Sequence, residues 1–307
     1  GIGGAAWVWM HRESPLPPPH AATTTARSPV AILGAMAPHH DHRSQFLRSP
    51  RIPYIRRMRS LLPALVFLSA CTARIGPNTT PSPSARPDAH ATSTALDSLR
   101  DRIGARIRAL PGAEVAVWYR DLGSADSLGV DADLSFHAAS TMKVPVMIEL
   151  FRQVDAGTLQ LEQPLRIENR FTSIVDGSPF TLNANDDSDS TLYQRIGQSV
   201  PLRELNFRMI TRSSNFATNL IIQLLDAPTI TTHARALGAR DIQVRRGVED
   251  TKAFDAGLNN TTTAHDLGVL MAAIEQGRAG SPTSTAAMRS VLLQQEFNDE
   301  IPAGLPA

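Results

Sequence analysis

The chain has 307 residues, 42% of them hydrophobic, enough to bury a sizeable core in one or two domains. Its formal net charge is +1 with no basic stripe, which argues against a nucleic-acid partner. A single cysteine excludes an intrachain disulfide.

Residues 1–57 carry seven Arg against Glu13 and Asp41 and show no apolar period. His39-His40-Asp41-His42 within them is metal-like in composition, but a patternless segment gives it no frame, and no metal is expected. The stretch from Met58 to Cys71 has a basic start, a short apolar run and small residues before the junction, the plan of a secretory signal too short to span a bilayer. Leu68-Ser69-Ala70-Cys71 resembles a bacterial lipobox, which implies that Cys71 is lipidated, becomes the mature N-terminus and tethers a periplasm-facing protein to the membrane. A signal belongs at the start of a chain, so Met58 is the expected start and residues 1–57 an over-extended reading frame. Residues 72–93 are rich in Pro, Ser, Thr and Ala and read as a flexible linker.

The folded domain is expected from residue 94 to 307. Leu96, Leu99, Ile103, Ile107 and Leu110 recur at helical spacing and stop at Pro111-Gly112. Glu114 to Arg120 reads as a strand, a turn follows, and Leu134 to Ala138 reads as a second short strand. An apolar helix then runs through Val144 to Phe151, with Gly157 just past its end.

At the head of that helix stands Ser140-Thr141-Met142-Lys143. Residues three apart share a helix face, so Lys143 can reach the Ser140 oxygen while the helix N-terminus favours a developing anion. A buried Lys can lose its proton and act as a base, which Arg cannot. The chain has 30 basic residues and only Lys143 and Lys252 are lysines, which sharpens the pairing.

Phe171 to Ser190, with Asp186-Asp187-Ser188-Asp189, reads as a solvated acidic loop without EF-hand spacing. Leu202–Arg212, Phe216–Leu225, Pro228–Leu237, Thr263–Glu275 and Ala286–Gln295 read as helices, with Thr261, Thr262 or Thr263 capping the fourth. Ser213-Ser214-Asn215 lies between two of them, where a hydroxyl can relay a proton and an amide can hold a carbonyl or orient Lys143.

With S-T-M-K at 140–143, S-S-N at 213–215 and the helix-opening Asn260-Thr261-Thr262-Thr263, the chain resembles the class A β-lactamases and their penicillin-binding relatives. The resemblance runs from about residue 94 to 307. It implies an α+β fold, a helical bundle packed on an antiparallel sheet whose C-terminal strands are absent from this chain. It further implies that Ser140 is the acylated nucleophile, Lys143 its activating partner, Ser213 the proton relay to the leaving nitrogen and Asn215 the holder of the substrate amide. Ser214 departs from the family's Asp, a largely structural position. Glu249 is the candidate base for the hydrolytic water, although the Leu-Asn pair that follows the family's Glu is missing, and the alternative is that Glu249 or Asp250 is simply a solvated loop carboxylate. No K-T-G follows residue 215, which leads to the expectation of a truncated and inactive chain.

Three functions are open on this reading: a β-lactam-hydrolysing serine enzyme, a penicillin-binding DD-peptidase of peptidoglycan metabolism, and an envelope-tethered binding protein without turnover. No cofactor is implied, since side chains and backbone N–H groups suffice. The expected partners are a small β-lactam or peptidoglycan-like substrate and, through Cys71, the membrane. A monomer is expected.

Overall fold

A computed structural model describes residues 5–13, 30–33, 89–124 and 126–298. His39 to His42, the stretch from Met58 to Cys71 and the linker as far as residue 88 lie outside them. The chain divides into a main unit, residues 1–38 and 93–307, and a second, 39–92, of which only the start of the first helix is described.

Two strands, β1 (Ala5–Glu13) and β2 (Val30–Leu33), come from the segment expected to precede the true start. Helix α1 (Ala89–Arg108) begins five residues before the boundary inferred from composition. Strand β3 (Ala113–Asp121) follows, and β4 (Ser127–Val130) occupies part of the stretch expected as a turn. These four strands form an antiparallel sheet in the order β2-β1-β3-β4.

The second expected strand is corrected. It shortens to β5 (Phe136–His137) and does not join the sheet, pairing instead with β10 (Thr261–Thr262) more than a hundred residues later. Ala138 extends that ladder by donating its N–H to the Asn260 carbonyl at 2.8 Å. The consequence is positional: the strand entering Ser140 is stitched to the end of the loop that carries Glu249.

A short 3₁₀ turn, Ala139–Met142, then leads into α2 (Lys143–Asp155). Pro145 sits in its first turn, where a missing N–H costs nothing, and Gly157 ends the segment at φ +74°. Lys143 and the whole run Pro145–Phe151 are buried, so α2 is the axis of the core. Met142, Val146, Met147 and Leu150 pack in one cluster with Leu205, Met209, Phe216, Ile221, Ile230 and Leu270. Glu149, fully buried within that apolar helix, is tolerated because Arg152 donates to both of its oxygens at 2.8 and 3.0 Å and Gln153 donates at 2.9 Å.

The stretch between α2 and the next helix is not a plain solvated loop. It contains two antiparallel pairs, β6 (Pro164–Arg166) with β9 (Ser199–Pro201), and between them in the chain β7 (Phe171–Thr172) with β8 (Pro179–Phe180). Asp187 and Asp189 are buried, at 8% and 4% exposure. Asp189 can be buried because Arg208 donates to it at 2.7 Å.

Helices α3 (Leu202–Thr211), α4 (Asn215–Leu225), α5 (Ala227–Ala236), α6 (Thr251–Asp255), α7 (Ala264–Glu275) and α8 (Pro282–Leu292) complete the described fold. Ser214, Asp226, Asp250, Thr263 and Ser281 cap α4 to α8, each accepting from the backbone N–H three residues on. Such caps contribute about 1 kcal/mol each. Of the three candidate threonines, Thr263 is the cap. A second cluster of Ala116, Trp118, Phe136, Ala264 and Leu267 fastens α7 to β3. Gly268 is required there, since a Cβ would overlap the Trp118 ring.

Candidate active site

Ser140, Lys143, Ser213, Asn215 and Glu249 converge from three parts of the chain. The 3₁₀ turn carries Ser140, the first residue of α2 is Lys143, the α3–α4 junction carries Ser213 and Asn215, and the loop before α6 carries Glu249. The buried Lys143 amine lies 3.0 Å from Ser140 Oγ, 2.8 Å from Ser213 Oγ, 2.6 Å from the Ser213 carbonyl and 3.0 Å from Asn215 Oδ1. Ser213 Oγ is 2.9 Å from Ser140 Oγ. An ammonium has three N–H bonds for these four oxygens, whereas a neutral amine has a lone pair to offer one of the hydroxyls.

Burial pushes the Lys143 pKa down to about 7, against the opposing pull of Asp187 and Glu249. A substantial fraction is therefore neutral near neutral pH, and a hydroxyl lies within proton-transfer distance. Asn215 fixes the geometry on the other side. Its Oδ1 accepts from Lys143 and its Nδ2 donates to Glu249 Oε1 at 2.7 Å, so a single amide orientation serves both. Burial raises the Glu249 pKa, the Asn215 hydrogen bond lowers it, and the charges of Asp187 and Asp186 raise it again, with a net rise.

Strain concentrates here. Among the described residues, five non-glycine residues have positive φ, and three of them are Ala139 (42°), Ser213 (57°) and Glu249 (63°). Such backbone persists only where the surroundings over-determine it. For Glu249 they do. Asn219 accepts from the Val248 N–H at 2.6 Å and donates to its carbonyl at 2.9 Å. Gly247 gives that side chain room, since a Cβ would come within 2.5 Å of Asn219 Oδ1. Asn260 accepts from the N–H groups of Arg245 and Arg246 and returns a bond to the Arg246 carbonyl, closing the loop at its base.

Asp250 corrects the expectation of a solvated carboxylate. It is 2% exposed, accepting from Ser173 Oγ at 2.8 Å, Ile174 N at 2.9 Å and Ala253 N at 3.1 Å. It faces the β7–β8 segment rather than Ser140. The roles of Asn219, Asn260 and Asp250 were not legible in the sequence because each bonds backbone distant in the chain, and that of Gly247 was not because it only leaves room for the Asn219 side chain. Asn219 had one visible signal, its place in the helix after the S-S-N triplet.

Beside Ser140 lies a cavity of about 430 Å³ whose lining includes Lys143, Met209, Ile210, Ser213, Met271 and Phe297, a polar end on a largely apolar wall. A second cavity of about 420 Å³, against Phe171, Phe180, Asn219 and Asp250, contains none of the convergent hydroxyls. The chemistry therefore belongs to the first. No group of three or more His, Cys, Asp or Glu among the described residues is arranged to hold a metal.

Comparisons with known proteins identify the family and the fold. The sequence pattern of a family described as "Beta-lactamase enzyme family" matches residues 98–307. A protein named Beta-lactamase from Rhodobacter capsulatus is 26% identical over 217 residues, 67% of this chain and 69% of that one. The solved structure of PBP-A is 28% identical with a TM-score of 0.57, covering 69% of this chain and 74% of PBP-A. A PBP-A mutant solved as an acyl-enzyme complex with penicillin G gives the same figures. A beta-lactamase structure from Xanthomonas campestris pv. campestris, 24% identical over 69% of this chain and 75% of that one with a TM-score of 0.58, supports the fold. With the family pattern spanning most of the chain and the α+β architecture in common, the chain belongs to the beta-lactamase enzyme family.

Proposed function

We propose that the protein, in a form that carries the K-T-G strand missing from this sequence, opens β-lactam amides through an acyl-enzyme on Ser140 and then hydrolyses that ester. Neutral Lys143 takes the Ser140 proton as Oγ attacks the lactam carbonyl carbon. The helix-dipole end at the 3₁₀ turn favours the oxyanion. As the C–N bond breaks, the Ser213 hydroxyl gives its proton to the nitrogen and is reprotonated by Lys143, which restores the neutral amine. Glu249 then takes a proton from water as it attacks the ester carbonyl, and when the ester C–O bond breaks that proton is passed to Ser140 Oγ, which restores both the hydroxyl and the Glu249 carboxylate. The observation that carries the reading is one amine within 3.0 Å of both hydroxyls and of the amide that holds Glu249.

The likeness to PBP-A favours a second reading, a penicillin-binding peptidase that acylates by the same residues but keeps the ester. The two differ in what Glu249 does. Its hydrogen bond to Asn215 and its raised pKa support the hydrolytic role.

The test is labelling by a fluorescent penicillin, followed by intact mass. Ser140→Ala should abolish the adduct, and Lys143→Arg should nearly do so, because a guanidinium cannot take the proton. An adduct on the Ser140→Ala protein removes Ser140 from the nucleophile role. Glu249→Gln should acylate and then hold the adduct; release unchanged by that substitution leaves the peptidase reading or another base.

A further inference from the structure

The S-S-N triplet has no acid of its own, yet the structure brings one to it from 27 residues earlier in the chain. Asp187 Oδ1 accepts from the Asn215 N–H at 3.1 Å and the Asp189 N–H at 3.0 Å. Its Oδ2 accepts from the Phe216 N–H at 2.8 Å and the Tyr193 hydroxyl at 3.0 Å, with Ser214 Oγ at 3.5 Å. The carboxylate thus closes two of the open N–H groups at the start of α4, the helix that begins with Asn215. We propose that Asp187 is a positioning residue, supplying from a separate loop the carboxylate that holds Asn215 and the α4 start in register with Lys143. The inference rests on the Ser140–Lys143 reading above.

Two facts separate this from ordinary capping. Asp187 is 8% exposed, so its charge is felt within the site rather than lost to water. The charged groups facing Lys143 are Asp187 and Glu249, and both hold its pKa higher than burial alone would leave it. The remaining polar neighbours, Ser140, Ser213 and Asn215, are neutral. Tyr193, which donates to Asp187, is held protonated, its pKa raised by burial and then by the Asp187 charge. Asp187 therefore holds the backbone of Asn215, whose side-chain oxygen accepts from Lys143, and its charge tunes that base.

The prediction follows with a definite sign. Asp187→Asn keeps the shape and removes the charge, so the Lys143 pKa falls and the acid limb of Ser140 acylation moves to lower pH. The acylation rate on the plateau drops about tenfold as the α4 start loosens, equivalent to about 1.4 kcal/mol. Ser214→Asp alone sets a second carboxylate beside Asp187 and should lower the melting temperature. Combined with Asp187→Asn, the same Ser214→Asp change should restore melting and labelling together.

Because Lys143 and Lys252 are the only lysines, the full chain labelled with [¹³Cε]lysine gives two titrating signals, and Lys252→Arg assigns them. This readout needs no substrate, so a protein that ignores penicillin still tests the inference. A Lys143 signal titrating at lower pH in Asp187→Asn, with recovery in the double variant, is the expected result. An unmoved Lys143 titration, or a double variant no better than Asp187→Asn, overturns it. Should Asp187→Asn alone fail to fold, the double variant decides: folded, with Lys143 titrating as in the parent, it upholds the assignment, and unfolded it overturns it.

Discussion

At the scale of single residues the site is organised around one amine and its protonation. Lys143 is buried and its pKa is lowered to about 7, so it serves as a base from neutral pH upward rather than only in strong alkali. Acylation of Ser140 by a penicillin should therefore rise with pH and level off above about 7, falling roughly tenfold per unit below it. Stopped-flow labelling across that range measures this, and a profile flat from about pH 5 to 9 would remove Lys143 as the base. Ser140 and Lys143 are legible in the sequence because a helical turn alone brings them together, whatever the rest of the chain does. Ser213, Asn215 and Glu249 are legible as residues through the family resemblance, but their hydrogen bonds are not. Asp187 and Asp250 are misread as solvated, since their burial depends on N–H and hydroxyl donors from other segments.

At the scale of elements, positions are held by contacts that override local preference. Glycine costs a helix about 1 kcal/mol relative to alanine, so by propensity alone Gly268→Ala would stabilise α7. The Trp118 ring occupies the space a Cβ needs, and overpacking costs about 1–3 kcal/mol or more. Gly268→Ala should lower the melting temperature in thermal denaturation, and a rise would show that β3 and α7 can separate cheaply. The loop from Arg246 to Asn260 is a second case. Asp250 ties it to Ser173 and Ile174, and Lys252 ties it to Asp176 at 2.6 Å. Asp250→Ala should leave penicillin labelling intact and lengthen the acyl-enzyme lifetime about tenfold or more, because a small displacement of Glu249 is enough to slow its step. Equal slowing of acylation and release, measured by burst kinetics, would mean the loop supports the whole fold rather than the base. The helices were legible because apolar residues recur at three- and four-residue steps. The short strands were not, since a two-residue pair such as β5 with β10 exists only by virtue of its partner.

At the scale of the whole molecule, no helix among the described residues is long and apolar enough to cross a membrane. From the lipobox-like Leu68-Ser69-Ala70-Cys71 we propose anchoring through Cys71. Expression from Met58 should yield a membrane-associated protein whose mature N-terminus is a lipidated Cys71, and Cys71→Ala should block that maturation. N-terminal sequencing or mass analysis that begins well upstream of Met58 would contradict it and would give β1, paired with β3 from Ala5–Asp121 to Glu13–Ala113, a place in the working protein. The sequence by itself determined the helical periodicity and the serine and lysine on one turn, because these depend on spacings of a few residues that backbone geometry fixes locally, while the α+β class came through the family resemblance. Only the tertiary structure decided which carboxylates are buried, which strand meets β5, and that Asn215 stands between Lys143 and Glu249. Those arrangements join groups some 30 to more than 100 residues apart, and each polar member is stable in its place only because a specific distant partner replaces the water it has lost.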